Sequence, residues 1–292
     1  MTARSRVGLI GFLAGLSLLP PVFAQSAAHP DKRGYNLFNP TPDNLLRELA
    51  TDRPDKTENP YTVDAGHYQL ELDLVNYSYD LQDSDGANRT VRSLAIAPFN
   101  FKVGLLNNLD LQFIAETFTH QETDDHNLRS TETISGFGDI IVRGKFNIWG
   151  NDGGKTGLGV IAFAKFPTNQ HGLGNGAVEG GVIVPLEVKM PHDWDLGLMT
   201  EVDSRQNSNS SDYHAEFINT ITVGHPIVGT LEGYIEFYSN VSQEKGADWI
   251  GTFDVGVTYK VRPNVQLDAG VNFGITDAAD DLNPFLGLTI RY

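Results

Sequence analysis

From residue 66 onward, charged and tyrosine side chains recur at alternate positions, and this spacing is the feature with the clearest chemical meaning. Carboxylates, amines and guanidinium groups along one face of successive strands would line a polar lumen that selects among solutes by charge. The same pattern fits a filled, closed barrel in which these charges pair and no solute passes. The candidates for lumen and selectivity residues are Glu71, Asp73, Asp110, Glu116, Asp139, Arg143, Lys145, Glu201, Glu232, Tyr234, Glu236 and Tyr238.

Apolar residues fill the other alternate positions, which predicts strands with two different environments on their faces. About 12 such segments fit between residues 66 and 292, joined by turns and loops that alternate between short and long. The tryptophans Trp149, Trp194 and Trp249 fall at strand ends, as in the aromatic girdles of membrane barrels. We therefore predict an all-β fold: a transmembrane antiparallel up-and-down β-barrel of about 12 strands over residues 66–292.

The first predicted strand changes phase after Leu74, because Val75, Tyr77 and Tyr79 continue the apolar series on the opposite parity. One extra residue in a strand produces such a shift, so a β-bulge is predicted at this point.

The N-terminal 24 residues have the three-part layout of a secretory signal peptide. Arg4 and Arg6 precede an apolar run, and Val22-Phe23-Ala24 places small residues at the −3 and −1 positions of a cleavage site. Residues 1–24 are thus predicted to be cleaved on export, and the mature protein is predicted to lie in the bacterial outer membrane.

Residues 25–65 are rich in proline, asparagine and aspartate and lack the alternation of the barrel. Thr41, Pro42 and the following leucines predict a short helix with Thr41 as its N-cap. This stretch is predicted to be a periplasmic or plug segment, with a disordered tail as the alternative. The plug candidates, of which the arginines could anchor the segment to an acidic lumen, are Arg47, Asp52, Arg53 and Asp55.

Several positions on the predicted inner face are apolar or aromatic. They are Ile114, Phe118, Ile141, Ile161, Phe163, Met199, Ile218, Tyr234 and Tyr238. They predict either a path for an apolar solute or packing against an inner plug.

Composition excludes several classes of function. The formal net charge is −16, and removal of the two arginines of the signal makes it −18. A chain this acidic is a poor match for nucleic acid. Because the chain contains no cysteine, disulfides, thiolate metal sites and cysteine nucleophiles are ruled out. No apolar run beyond the signal is long enough for a membrane-spanning helix, and no cofactor is expected.

Two further clusters contain side chains that could bind a metal or act in catalysis, but each also fits an ordinary solvated loop. Five acidic and histidine residues near 120–126, in a predicted outer loop, have ligand-type side chains, but such loops are usually only solvated, so no metal is expected. Ser210, Ser211 and His214 are close in sequence, yet the Gly-x-Ser-x-Gly motif is missing. No catalytic residue is assigned and a non-enzyme is expected. A lipase-like or protease-like barrel enzyme and a closed structural or adhesive barrel remain the alternatives.

A set of short motifs resembles a bacterial family of outer-membrane transporters named for the meta-pathway of phenol degradation. The resemblance covers the chain from about residue 45 and rests on Thr51-Asp52-Arg53-Pro54-Asp55, Glu58-Asn59-Pro60, Gly136-Phe137-Gly138-Asp139, Arg143-Gly144-Lys145-Phe146 and Ala164-Lys165-Phe166-Pro167-Thr168. It implies a barrel that moves small molecules, including aromatic or hydrophobic compounds. The expected partners are outer-membrane lipid, a small-molecule solute and the barrel assembly machinery, which would read the alternating C-terminal strand that ends at Tyr292.

Overall fold

Strands account for almost all of the regular structure in the computed structural model, which describes residues 30–82 and 88–292. The predicted signal peptide, residues 1–24, lies outside the described residues. The strands are β1 (Tyr68–Gln82), β2 (Arg89–Ile96), β3 (Phe99–Leu106), β4 (Leu109–Ala115), β5 (Phe118–Asp125), β6 (Ser130–Gly136), β7 (Ile140–Trp149), β8 (Thr156–Phe166), β9 (Glu179–Lys189), β10 (Asp195–Gln206), β11 (Tyr213–Val228), β12 (Leu231–Ser242), β13 (Ile250–Arg262), β14 (Val265–Gly274) and β15 (Leu282–Arg291).

The sheet is antiparallel throughout and closes on itself through pairing of β15 with β1. Because β1 pairs with β3 along its first part and with β2 along its second, β2 and β3 are two parts of one wall strand. A break at Ala97-Pro98 separates them, since proline has no N–H for the ladder. β4 with β5 and β6 with β7 are joined in the same way. With these pairs counted once, the barrel has 12 strands, which confirms the predicted fold class.

The alternation along each strand separates an apolar outer face from a polar inner face. Many large apolar side chains are exposed, for example those of Val182, Ile221 and Phe253. In contrast, the charged side chains of Lys145 and Asp254 are fully buried. This inverts the usual arrangement of a soluble protein. It is the arrangement expected of a barrel whose outer face contacts lipid.

The predicted β-bulge in the first strand is confirmed. The register of β1 against β15 shifts between Asp73 and Val75. The shift moves Asp73 and Tyr77, which are four residues apart, to opposite faces of the strand and explains the change of phase in the sequence.

The predicted outer loop at residues 121–135 is wrong, because β5 and β6 form a hairpin there. Both faces of the hairpin are polar, so its residues show no apolar alternation by which strands are recognised. The neighbouring strand β2 pairs with β5 and extends the same sheet. This end of the barrel, with the long connections, is called the loop end below, and the opposite end is called the turn end.

The predicted helix after Thr41 is also largely wrong. A single 3-10 turn, Asp43–Leu45, occurs there, and its N-cap is Pro42 with no side-chain capping bond. The backbone N–H of Thr41 donates instead to Ala65 O, and the chain is extended again at Leu46. In the part of the chain that is described, no helix is long and apolar enough to span a membrane.

Candidate functional site

Residues 47–64, called the lumenal segment below, lie inside the barrel and contact inward-facing wall residues. The segment has no regular secondary structure, so its backbone groups need partners from the wall. Wall carboxylates supply several of them. Glu236 accepts the backbone N–H groups of Lys56 and Thr57 at 2.8 Å each, and Asp110 accepts that of Val63 at 3.0 Å.

Acidic side chains of the lumenal segment meet basic wall residues on one side of the barrel. Asp52 forms ion pairs with both Lys102 and Lys145, the latter at 2.5 Å. Glu58 pairs with Arg143. The three wall cations stand on β3 and β7, are all buried, and form what we call the basic arc: Lys102, Arg143 and Lys145.

Basic side chains of the same segment meet acidic wall residues on another side. Arg53 pairs with Asp73 at 2.6 Å and with Asp268 at 2.8 Å. Lys56 pairs with Asp254 at 3.0 Å. The wall carboxylates stand on β1, β12, β13 and β14, are buried, and form what we call the acidic arc: Asp73, Glu236, Asp254 and Asp268.

A third cluster lies at the turn end of the barrel, where the lumenal segment begins and ends. Arg47 pairs with Asp152 at 3.0 Å and its backbone N–H donates to Asp64 at 3.0 Å. Lys32 pairs with Asp152 at 3.1 Å, and Arg291 approaches Asp64 at 3.7 Å. The two ends of the segment are therefore tied to each other and to the barrel rim.

Inward-facing glycines make room for the lumenal segment where its backbone comes closest to the wall. A Cβ at Gly104 would overlap the carbonyl oxygen of Asp64. A Cβ at Gly159 would lie 3.0 Å from Cα of Pro60, and one at Gly157 would lie 2.8 Å from the ring of Tyr61. The wall is thus shaped to the segment sterically as well as electrostatically.

Burial and neighbouring charges shift the titration of carboxyl groups in the lumenal segment. Burial alone would raise the pKa of Asp52, but the charges of Lys102 and Lys145 outweigh it and hold the pKa well below its usual value. Burial raises the pKa of Asp55 to about 7, and the nearby carboxylates of Asp52 and Glu58 add to this shift, although a hydrogen bond from Thr222 opposes it. Burial also raises the pKa of Glu58, against the lowering influence of Arg143.

An apolar patch interrupts the polar lumen beside the segment. Its four buried members come from adjacent strands, β8 to β11, with Phe163 and Tyr238 packed against them. The backbone N–H of Glu58 donates to Sδ of Met199 at 3.4 Å, and Nζ of Lys56 lies 4.7 Å from the ring centroid of Tyr238. The four are Ile161, Ile183, Met199 and Ile218.

A cavity of about 430 Å³ separates the lumenal segment from β9 to β14 near the turn end. The cavity is lined by both aromatic and charged side chains, among them Tyr61, Glu187, Lys189, Glu232, Tyr234 and Lys260.

The structure distributes ten of the sequence-predicted lumen residues over four regions. Glu71, Asp73, Asp110, Arg143, Lys145 and Glu236 contact the lumenal segment. Glu232 and Tyr234 line the cavity, and Tyr238 flanks the apolar patch. Glu201 interacts with Asp203 towards the loop end.

Two of the predicted lumen residues lie in the breaks of the wall strands. Glu116 falls between β4 and β5, against Gly138. Asp139 falls between β6 and β7 and accepts the backbone N–H groups of Thr168 and Asn169 at 3.0 and 3.1 Å. Asp139 therefore anchors an outer loop to the wall.

The four predicted plug residues all contact the barrel. Arg53 binds the acidic arc and Asp52 the basic arc. Arg47 binds Asp152 in a turn, and Asp55 is hydrogen-bonded to Thr222. The sequence analysis did not single out Lys56 and Glu58 as contact residues. A signal for them exists in the alternating charge signs between residues 52 and 58.

The side chains considered for metal binding and catalysis are engaged elsewhere. Glu122 and Asp124 pair with Arg92, and a search of the described residues finds no group of side chains that could hold a metal ion. The ring nitrogens of His214 contact Asn207 and Glu216 at 2.7 and 3.3 Å, so both nitrogens have partners other than the neighbouring serines.

Comparison with one solved structure supports this architecture. An outer membrane channel from Pseudomonas putida F1 is 12% identical, with a TM-score of 0.60, and the match covers 83% of this chain and all of that one. The NanC porin is also 12% identical, with a TM-score of 0.47 over 76% of this chain and 98% of that one. The curated proteins include no significant match.

The model of one protein family matches residues 51–292, which include most of the lumenal segment and the entire barrel. The match covers the Asp-Arg-Pro-Asp motif at residues 52–55, which contacts both arcs. The chain therefore belongs to the family described as Putative MetA-pathway of phenol degradation.

Proposed function

We propose that the protein is an outer-membrane channel for passive uptake of small molecules, and that the lumenal segment closes it as a plug in the described conformation. The observation that carries this proposal is a closed barrel, apolar outside and charged inside, whose lumen is occupied by its own N-terminal segment. In this proposal residues 1–24 direct export, and the strand that ends at Tyr292 is read by the barrel assembly machinery.

The chemistry of the lumen supports a passage rather than a permanently packed core. A core built for stability is apolar, because replacing buried ion pairs by apolar side chains is often neutral or stabilising. Here the interior is built from ion pairs between a segment without secondary structure and the wall. Such contacts can be exchanged for contacts with water or solute when the segment moves.

For the solute, we propose small compounds that include aromatic or hydrophobic ones. The family description and the apolar patch around Ile161 and Met199 support this choice. The competing candidate is a closed structural or adhesive barrel, which is favoured by the number of buried ion pairs that hold the segment in place.

Conductance in planar lipid bilayers distinguishes these functions. The variant Asp52→Ala/Arg53→Ala removes one contact to each arc, and a matched control, Asp31→Asn/Arg33→Gln, removes an ion pair of the same N-terminal region that is exposed. We expect low conductance from the native protein and the control, and stable larger steps from the first variant. Silence from a variant that still migrates as a folded, heat-modifiable barrel would contradict the channel and favour the closed barrel.

A further inference from the structure

We infer that the lumen recognises a small dipolar solute, one that carries both a carboxylate and an ammonium or guanidinium group on a compact apolar body, and that such a solute displaces the lumenal segment. This inference rests on the proposed channel function and names the solute class and the means of opening.

The first observation is the separation of charge in the wall. The cations of the basic arc stand on β3 and β7, whereas the carboxylates of the acidic arc stand on β1 and β12 to β14. Among the ion pairs of the described residues, Asp73, Asp254 and Asp268 are neutralised by Arg53 and Lys56 of the lumenal segment. Without the segment, these three carboxylates would lose their cations, whereas on the basic arc Lys102 would keep Glu71 as a wall partner.

The lumenal segment shows which ligand chemistry this wall accepts. Within seven residues it places two carboxylates, Asp52 and Glu58, on the basic arc and two cations, Arg53 and Lys56, on the acidic arc. The wall therefore already binds opposite charges that are only one or two residues apart in one chain, Asp52 with Arg53 and Lys56 with Glu58. A small zwitterion likewise carries both charges on one molecule.

A solute needs both charges to compete with the segment. An anion alone can replace Asp52 at Lys102 and Lys145, but Arg53 and Lys56 would keep their carboxylate partners. If the segment then left, Arg53 and Lys56 would leave with it, and the acidic arc would lose the cations that pair with it. A dipolar solute supplies a partner for each arc in a single binding event.

The apolar patch indicates what the rest of the solute is. It touches the segment at the charged residues themselves, through Met199 against Glu58 and Tyr238 beside Lys56. A solute that replaces these residues would place its body against the patch. An aromatic or branched aliphatic body fits that surface, which makes phenylalanine a suitable probe.

The test uses the full-length chain with one introduced thiol, since the native protein has no cysteine. Leu49 is 5% exposed, so the alkylation of Leu49→Cys by a membrane-impermeant maleimide reports release of the segment. The probes are phenylalanine, phenylacetate and phenethylamine, at equal concentration and ionic strength. Arg33→Cys, at an exposed position, is the control for direct effects of each probe on the reagent.

We expect phenylalanine to accelerate alkylation of Leu49→Cys about tenfold, the factor that corresponds to ~1.4 kcal/mol, and the two singly charged probes to leave the rate near its starting value. Equal acceleration by all three probes, or none by phenylalanine, would overturn the inference. If Leu49→Cys does not fold, hydrogen exchange of residues 51–64 is measured in the native protein with the same probes. Faster exchange with phenylalanine alone is then the expected result.

The outcome is separable from that of the proposed function. Larger conductance steps from Asp52→Ala/Arg53→Ala, together with no response to phenylalanine, would leave the channel standing and reject the dipolar solute. Silence in the conductance experiment would reject both.

Discussion

Two groups of ion pairs in this molecule use the same side-chain chemistry in opposite environments. Lys145–Asp52 and Arg53–Asp268 lie inside the barrel, where Lys145 and Asp268 are fully shielded from solvent. The pairs of Arg92 link β2 to the hairpin at the loop end, where that side chain is 39% exposed. The first group holds a segment without secondary structure in place, whereas the second lies on a sheet that backbone hydrogen bonds already hold together.

The difference shows that the contribution of an ion pair to stability depends on what surrounds the remaining charge when one partner is removed. On the hairpin, water solvates the remaining charge, and such pairs contribute little. In the lumen the remaining charge stays buried, and removal of one partner is strongly destabilising. Variants in the lumen should therefore lose more stability than variants at the loop end.

Asp52→Ala should have the largest effect, because it leaves Lys102 and Lys145 buried with fewer carboxylate partners. We expect the free energy of unfolding to fall by ~3–5 kcal/mol, the range for breaking a buried pair from one side. Urea unfolding in detergent micelles, followed by tryptophan fluorescence, measures it. A loss below about 1 kcal/mol, the range of exposed pairs, would remove the contrast.

Gly104→Ala should have the next largest effect, because its Cβ would overlap the backbone of Asp64. Overpacking of this kind costs ~1–3 kcal/mol. Gly224→Ala is the matched control, since it also faces inward but its nearest heavy atom would be 3.8 Å away. The same unfolding experiment applies, and equal losses for the two variants would show that the wall is not fitted to the segment.

The docking of the lumenal segment should weaken as pH rises through the window between 4 and 7. Burial raises the pKa of Asp55 from its usual 3.8 to about 7. The docked state therefore binds more protons than the released state over this window. Docking becomes less favourable as pH increases. Below this window both states are protonated and above it both are ionised, so the contribution of Asp55 is then constant.

Conductance steps of the native protein should accordingly be more frequent at pH 7.5 than at pH 5. Asp55→Asn keeps the side chain neutral at all pH values and should flatten this dependence. An unchanged pH profile in the variant would assign the titration to another group.

Arg92→Ala should have the smallest effect. It removes two ion pairs at once, but all its partners remain in contact with water. We expect the unfolding midpoint and the conductance to match those of the native protein. A large shift in either would mean that the exposed hairpin supports the barrel in the same way as the lumen does.

The barrel could be predicted from the sequence because its signal is local. Alternation of apolar and polar residues within each strand is sufficient to identify a wall with two environments, and even the bulge after Asp73 follows from a change of phase. The hairpin of β5 and β6 was missed because its two faces are both polar. The helix after Thr41 was overpredicted because the backbone N–H of Arg47, which a continued helix would direct to Asp43 O, donates to the side chain of Asp64 instead.

The site could be predicted only in part, because its contacts are non-local. The polar character of the inner face follows from alternation, but the pairing of Asp52 with Lys145 joins residues 93 positions apart. No local pattern specifies which wall charge a segment without secondary structure will meet. The separation of the wall into a basic and an acidic arc likewise depends on the order of strands around the barrel.

Hydrogen exchange of its backbone amides reports whether the lumenal segment is docked inside the barrel. The amides of Lys56, Thr57 and Val63 donate to buried wall carboxylates. We therefore expect peptides within residues 51–64 to exchange as slowly as peptides from the barrel strands, and Asp52→Ala to remove this protection. Exchange in the native protein as fast as that of an exposed loop would contradict a segment docked in the lumen.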